Sequence, residues 1–170
     1  KEFEFEPIYG TIIQNNLGAV MTLNSITVNI PDGGAEDIIE CDNYPVSIVN
    51  NGLFNISSST ITSGLGCQII NNTGTMNLNG DTITQNYDTK YYHYIDNSSR
   101  TRPSGMSNVG IATNFINNIG QMTFNGTNIT RSGTLYENNE NYLYHSLINS
   151  NGTLTINGGT FNSPKDVIIT

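Results

Sequence analysis

One phrase of twelve residues recurs along this chain, and a chain assembled from such copies has few ways to fold. Ile69-Ile70-Asn71-Asn72-Thr73-Gly74-Thr75-Met76-Asn77-Leu78-Asn79-Gly80 is matched by Phe115-Ile116-Asn117-Asn118-Ile119-Gly120-Gln121-Met122-Thr123-Phe124-Asn125-Gly126 and by Leu147-Ile148-Asn149-Ser150-Asn151-Gly152-Thr153-Leu154-Thr155-Ile156-Asn157-Gly158. The stretch from Ile48 to Ile56 repeats it with one residue deleted, and Ile13 to Gly18 opens a looser copy continued by Met21 and Leu23. With the shared glycine as origin, apolar residues fall two, four and nine positions later: Phe54, Ile56, Ile61; Met76, Leu78, Ile83; Met122, Phe124, Ile129; Leu154, Ile156, Phe161. These columns are the expected core. The residues between them are polar, so each segment alternates with period two and reads as a strand with one buried face. No window has a helical period.

The reference glycines at 18, 52, 74, 120 and 152 are spaced 34, 22, 46 and 32 residues apart. The shortest spacing defines one coil. At about 3.3 Å per residue, that coil has a perimeter of roughly 70 Å, enough for three short strands and three turns around a packed interior. The longest spacing is expected to hold two coils, with Ile95-Asp96-Asn97-Ser98 supplying the second. About six coils follow. Hairpins need tight turns between neighbouring runs, whereas these runs recur in the same order at long range, which sets like against like in parallel. The expectation is an all-β parallel β-helix, one domain over residues 1–170. Residues 1–10 read as an N-terminal cap strand and 11–170 as coils, and Val167-Ile168-Ile169-Thr170 reads as a strand that begins a new coil and leaves an open edge.

Asn15, Asn50, Asn71, Asn97, Asn117 and Asn149 each follow an apolar residue by two positions at a strand end. Asn tolerates left-handed backbone there, and stacked amides can bond from coil to coil as a ladder. The stretch Asn151-Gly152-Thr153-Leu154-Thr155-Ile156-Asn157-Gly158-Gly159-Thr160-Phe161 resembles the repeat of right-handed parallel β-helix proteins of pectate-lyase-like architecture, especially surface adhesin-like proteins. The resemblance spans about two thirds of the chain. It implies the fold, and leaves the function open among lyases, tailspikes, autotransporter passengers and adhesins.

Composition narrows the function. Six Lys and Arg stand against 14 Asp and Glu, a net charge of -8, so no basic footprint for nucleic acid or anionic lipid exists. No apolar run approaches the roughly 18 residues that span a bilayer. Cys41 and Cys67 are the only cysteines, which allows one disulfide in an oxidising compartment or two buried thiols, and no metal-site spacing. Asn-x-Ser/Thr triplets at Asn55, Asn71, Asn97, Asn125, Asn128 and Asn151 fit a glycosylated exterior, and also arise by chance in a chain rich in Asn and Thr.

Insertions into the repeat mark where a coil does more than stack. The first is acidic, and Asp32, Glu36 and Asp37 offer oxygen ligands for calcium, at a spacing that matches no known calcium loop. Otherwise no cofactor is expected. The second and third, Tyr92-His93-Tyr94-Ile95-Asp96-Asn97-Ser98 and Tyr144-His145-Ser146-Leu147-Ile148-Asn149-Ser150, resemble each other. Strand parity points Tyr92, Tyr94 and Tyr144 outward and places His93 and His145 with the core. Together with Tyr142 these tyrosines form a candidate aromatic patch, beside a shallow groove at Val109-Gly110-Ile111-Ala112, for stacking on sugars or anchoring a protein. The histidines have no evident carboxylate or thiol partner and read as structural. The outward threonines of Thr60-Ile61-Thr62 and Thr82-Ile83-Thr84, with Asn128-Ile129-Thr130, form a stripe explained by strand propensity as well as by ice binding. Polysaccharide-cleaving enzymes of this architecture need clustered carboxylates, and the core repeats carry almost none: Asp81 reads as alone on a coil turn, and Arg100, Arg102 and Arg131 read as lying in loops. The expected protein is an extracellular or cell-surface structural or adhesive β-helix, not an enzyme, binding a carbohydrate or protein surface or stacking end to end into a fibre. The alternative is a carbohydrate-active module of the same fold.

Overall fold

The period-two segments become strands, and glycine, serine and asparagine at their ends become corners. The computed structural model describes residues 11–30, 39–40, 46–64, 68–88, 92–93, 114–134, 146–163 and 167–170. The first coil contains β1 (Ile13–Asn15), β2 (Val20–Asn24) and β3 (Thr27–Ile30), and β4 (Ile39–Glu40) follows in the connection. The second holds β5 (Ile48–Asn50), β6 (Leu53–Ser57) and β7 (Thr60–Ser63). The third holds β8 (Ile70–Asn72), β9 (Thr75–Asn79) and β10 (Thr82–Asp88), with β11 (Tyr92–His93) beyond it. In the fourth and fifth coils the second and third strands merge, giving β12 (Ile116–Asn118) with β13 (Gln121–Thr134) and β14 (Ser146–Ser150) with β15 (Thr153–Asn162). β16 (Val167–Ile169) opens a sixth.

Every strand pairing among the described residues is parallel, and the molecule is a parallel β-helix with three faces. The first face stacks β1, β5, β8, β12, β14 and β16. The second stacks β2, β6, β9 and the opening halves of β13 and β15, and the third stacks β3, β7, β10 and their closing halves. Register sets like residues in columns: Met21, Phe54, Met76, Met122, Leu154; Leu23, Ile56, Leu78, Phe124, Ile156; Val28, Ile61, Ile83, Ile129, Phe161. Members of the second, third and fourth coils are fully buried. Ile156 of the fifth coil is 39% exposed, because among the described residues β15 has a neighbour on one side only. Phe161 still packs edge-on against Phe124, ring centroids 5.5 Å apart.

One expected coil is placed differently. Ile116 pairs directly with Ile70, so the long glycine spacing holds one coil and an excursion, not two coils. Tyr92–His93 accordingly lies outside the stack and pairs in parallel with Ile39–Glu40. Around Ile95 the glycine and its trailing apolar columns are missing, so nothing there matches the stack's register. The sixth first-face strand is β16 instead. The cap residues 1–10 lie outside the described residues.

Two corners have opposite needs. Between the first and second faces stand Gly52, Gly74, Gly120 and Gly152, where a Cβ would lie 2.4, 2.2, 2.1 and 2.0 Å from a carbonyl oxygen of the preceding coil. Ala19 fills the equivalent place in the first coil, beneath which no described coil lies. Between the second and third faces, Ser25, Ser58, Gly80, Gly126 and Gly158 all have positive φ, and a Cβ on these glycines would meet nothing within 4 Å. Gly120→Ala is therefore expected to cost about 3 kcal/mol by forcing coils apart. Gly126→Ala should cost only the left-handed penalty of about 1 kcal/mol. Equilibrium denaturation of the two variants measures the difference.

Candidate functional site

The residues that could carry chemistry separate into an inner polar framework and one outer corner. At the first corner an asparagine from each of the first four coils turns inward below the apolar columns. Asn15 Nδ2 donates to Asn50 Oδ1 (2.8 Å), Asn50 Nδ2 to Asn72 Oδ1 (2.7 Å) and Asn72 Nδ2 to Asn118 Oδ1 (2.8 Å). Asn118 Nδ2 ends the row on Ser150 Oγ at 3.0 Å. Each amide also donates to a backbone carbonyl of the next coil, those of Leu53, Thr75, Gln121 and Thr153. A bend in the chain therefore has its orphan carbonyls satisfied by side chains.

This row differs from the sequence expectation in its last members. Asn15 and Asn50 are in it, but Asn71, Asn117 and Asn149 are not; Asn97 lies outside the described residues. Those three form a second, outward row, in which Asn149 Nδ2 donates to Asn117 Oδ1 (3.0 Å) and Asn117 Nδ2 to Asn71 Oδ1 (2.9 Å). The cause is the entry corner. Ile69 and Ile70, Phe115 and Ile116, and Leu147 and Ile148 are buried in consecutive pairs, so alternation restarts at the second residue of each pair. A further outward row joins Asn79, Asn125 and Asn157, with donor distances of 2.6 and 2.8 Å.

The second corner is held by small polar groups pointing inward. Asp81 accepts the backbone N–H of Ser59 and of Asn79, each at 2.8 Å, while Thr127 Oγ1 donates to the Leu78 carbonyl at 3.0 Å. Burial pushes the Asp81 carboxyl above its ordinary range, and the two backbone N–H groups pull the other way. At the far end of the third face Arg131 is 1% exposed, with its guanidinium 5.9 Å from the Phe115 ring centroid. Sequence reasoning left Asp81 alone on a turn and Arg131 in a loop; both are buried. The missed signal was register, since Asp81 aligns with Ser59 and Arg131 with Gln85.

Within 11–30, 46–64, 68–86, 114–134 and 146–163, Asp81 and Arg131 are the only ionic residues. Apart from Asp88 at the end of β10, the stacked faces therefore present a surface mostly of Asn, Thr, Ser and Gln. The ionic and aromatic residues lie mostly elsewhere. Segments 31–45, 89–113 and 135–145 each join the third face of one coil to the first face of the next, at the third corner, and they contain seven of the nine tyrosines. Two of these segments are joined by the pairing of β4 with β11.

Of the predicted aromatic patch, Tyr92 stands on β11, off the coils, while Tyr94, Tyr142 and Tyr144 lie outside the described residues. So do Asp32, Glu36, Asp37, Cys41, Cys67, His145 and the groove at 109–112. The segments bearing Tyr92 and Tyr144 leave consecutive coils, the third and fourth. Among the glycosylation candidates, Asn55 and Asn125 have side chains in outward rows, and Asn128 Oδ1 accepts from Thr160. Asn151 is exposed at the first corner. Among the described residues no group of three His, Cys, Asp or Glu converges as a metal site, and no helix is long and apolar enough to cross a membrane. No family model, curated protein or solved structure matches this chain.

Two expectations follow. Asn72→Ala should cost about 3 kcal/mol, because it strands buried partners in both neighbouring coils, whereas Asn71→Ala should cost under about 1 kcal/mol. Urea denaturation compares them. Asp81→Asn should cost about 1–3 kcal/mol, since its Nδ2 would face one backbone N–H donor. A carboxyl raised by folding contributes stability fully present below its unfolded value and lost as pH rises through its folded value. The gap in melting temperature between wild type and Asp81→Asn should therefore widen on acidification from neutral pH.

Proposed function

We propose that this chain is an extracellular structural or adhesive β-helix that presents its third corner to a carbohydrate or protein surface. The observation that carries this reading is the division of labour on the surface. The stacked faces are almost free of ionic residues, and their amides and hydroxyls are largely engaged with one another from coil to coil. Such groups give up existing bonds before they can hold a ligand. The third corner has the opposite character. Its connecting segments vary in length from coil to coil, while the other two corners stay tight.

Variable loops on a rigid scaffold are where binding residues concentrate. Tyrosine combines a large apolar face with a hydroxyl, the combination that stacks on sugar rings and anchors protein interfaces. The adhesin-like resemblance of the Asn151–Phe161 stretch agrees with this role. End-to-end stacking into a fibre belongs to the same reading, since parallel coils propagate by pairing open strand edges.

The test is a glycan array and a binding screen against cell-surface extracts, with wild type and a Tyr92→Ala, Tyr144→Ala double variant. Binding by the wild type that falls at least about tenfold in the double variant, a loss of about 1.4 kcal/mol, supports the corner as the binding surface. Unchanged binding by the double variant overturns the aromatic corner. Turnover of a polysaccharide without retained binding overturns the adhesive reading in favour of a carbohydrate-active module.

A further inference from the structure

The first corner of the first coil is built differently from the corners that follow it. Asn51 and Gly52 join β5 to β6, Thr73 and Gly74 join β8 to β9, Ile119 and Gly120 join β12 to β13, and Asn151 and Gly152 join β14 to β15. In the first coil the same passage, from β1 to β2, takes Asn16, Leu17, Gly18 and Ala19. Register fixes the alignment, since Asn15 pairs with Asn50 and Val20 with Leu53.

Hydrogen bonds give this column of corners a direction. N–H groups point to the preceding coil: Asn51 donates to the Asn15 carbonyl, Thr73 and Gly74 to that of Asn50, Ile119 and Gly120 to that of Asn72, and Asn151 and Gly152 to that of Asn118. Carbonyls point to the following coil: those of Ala19, Gly52, Gly74 and Gly120 accept the N–H of Leu53, Thr75, Gln121 and Thr153. Each later glycine therefore has a carbonyl of the preceding coil pressed against the place where its Cβ would be, at 2.0 to 2.4 Å.

Ala19 belongs to this series on one side only. Its carbonyl serves the following coil, but its N–H turns back to the Asn16 carbonyl inside its own corner, at 3.0 Å. The N–H groups of Gly74, Gly120 and Gly152 go to a neighbouring coil instead. Its methyl group also stands where the four glycines have none. A coil set on the preceding side in the common register would bring a carbonyl oxygen to about 2 Å from that methyl, well inside the separation of about 3.5 Å at which such atoms attract. Both features belong to residues 16–19 and hold whatever chain precedes them.

We propose that the first coil is a one-sided stop in the stack. It accepts a coil on its following side and refuses one on its preceding side, whether that coil belongs to the same chain or to a second copy. The core does not set this limit, because Met21, Leu23 and Val28 continue the apolar columns and Asn15 continues the inward amide row. The corner sets it. Copies that meet end to end then make contact here through side chains, and not through strand register.

The test inserts a second copy of residues 48–69, one full coil, between Ile12 and Ile13 of the 170-residue chain. One host keeps the natural corner. The other has Leu17 and Gly18 deleted and carries Ala19→Gly, so that Asn15 and Val20 are spaced as Asn50 and Leu53 are. Limited proteolysis across the insert and the urea m-value are read in both. Beneath the natural corner the insert should be cut and the m-value should match that of the chain without it. Beneath the shortened corner the insert should be protected and the m-value should rise by roughly one fifth, the surface of one coil added to five. A converse variant needs no insert: replacing Gly52 with a copy of Leu17-Gly18-Ala19 should detach the first coil, exposing residues 11–30 to protease and lowering the m-value by a similar fraction. This graft decides the matter should the shortened corner fail to fold. Protection of the insert beneath the natural corner overturns the proposal, and so does a grafted chain whose first coil stays protected.

Discussion

At its first and second corners each coil of this molecule bends, and the bends leave backbone N–H and C=O groups that the next coil and inward side chains satisfy. An unpaired buried group of this kind costs about as much as a lost hydrogen bond. The fold exists because each coil's corners are completed by its neighbour. At the first corner the inward amides of Asn15, Asn50, Asn72 and Asn118 link coil to coil and also reach the next coil's carbonyls. At the second, Ser59, Asp81 and Thr127 do the same work with shorter side chains. The apolar columns supply most of the driving force for burial, but they tolerate sliding. The polar columns do not, since a slip of one residue leaves amides and N–H groups unmatched.

This dependence explains why the stacked faces are so uniform. Close approach at the first corner admits only glycine once a coil lies beneath, and the positive φ of the second admits glycine or a small polar residue. An ionic side chain on an outward row would interrupt amide pairing that runs through several coils. Asp81 and Arg131 are instead buried, Asp81 on backbone N–H groups and Arg131 against Phe115. The third corner is exempt from these rules, because its segments can leave the stack and return. Variation, tyrosine and charge accumulate there.

Particular residues show how far a single strand pattern can be read. The columns of Phe54, Met76 and Met122 and of Ile56, Leu78 and Phe124 follow from their distance to a glycine, because a strand has a strict period of two and glycine marks its start. The inward asparagine could not be read this way. Ile69-Ile70-Asn71-Asn72 contains an apolar residue two positions before each asparagine, so both parities satisfy the pattern. Only the corner, which buries Ile69 and Ile70 together, decides that Asn72 turns inward and Asn71 outward. The same ambiguity placed a coil at Ile95, where the chain has the right length for one but lacks the glycine and the columns that stacking needs.

The linear order of residues determined the architecture of this protein: parallel coils, their apolar columns, and the corners where only small residues fit. These are local properties, set by strand period and by the backbone preferences of glycine and asparagine. Tertiary structure decided which coil lies on which, because pairing depends on matching surfaces rather than on distance along the chain. It set Ile116 against Ile70 across 46 residues and sent Tyr92–His93 out to meet Ile39–Glu40.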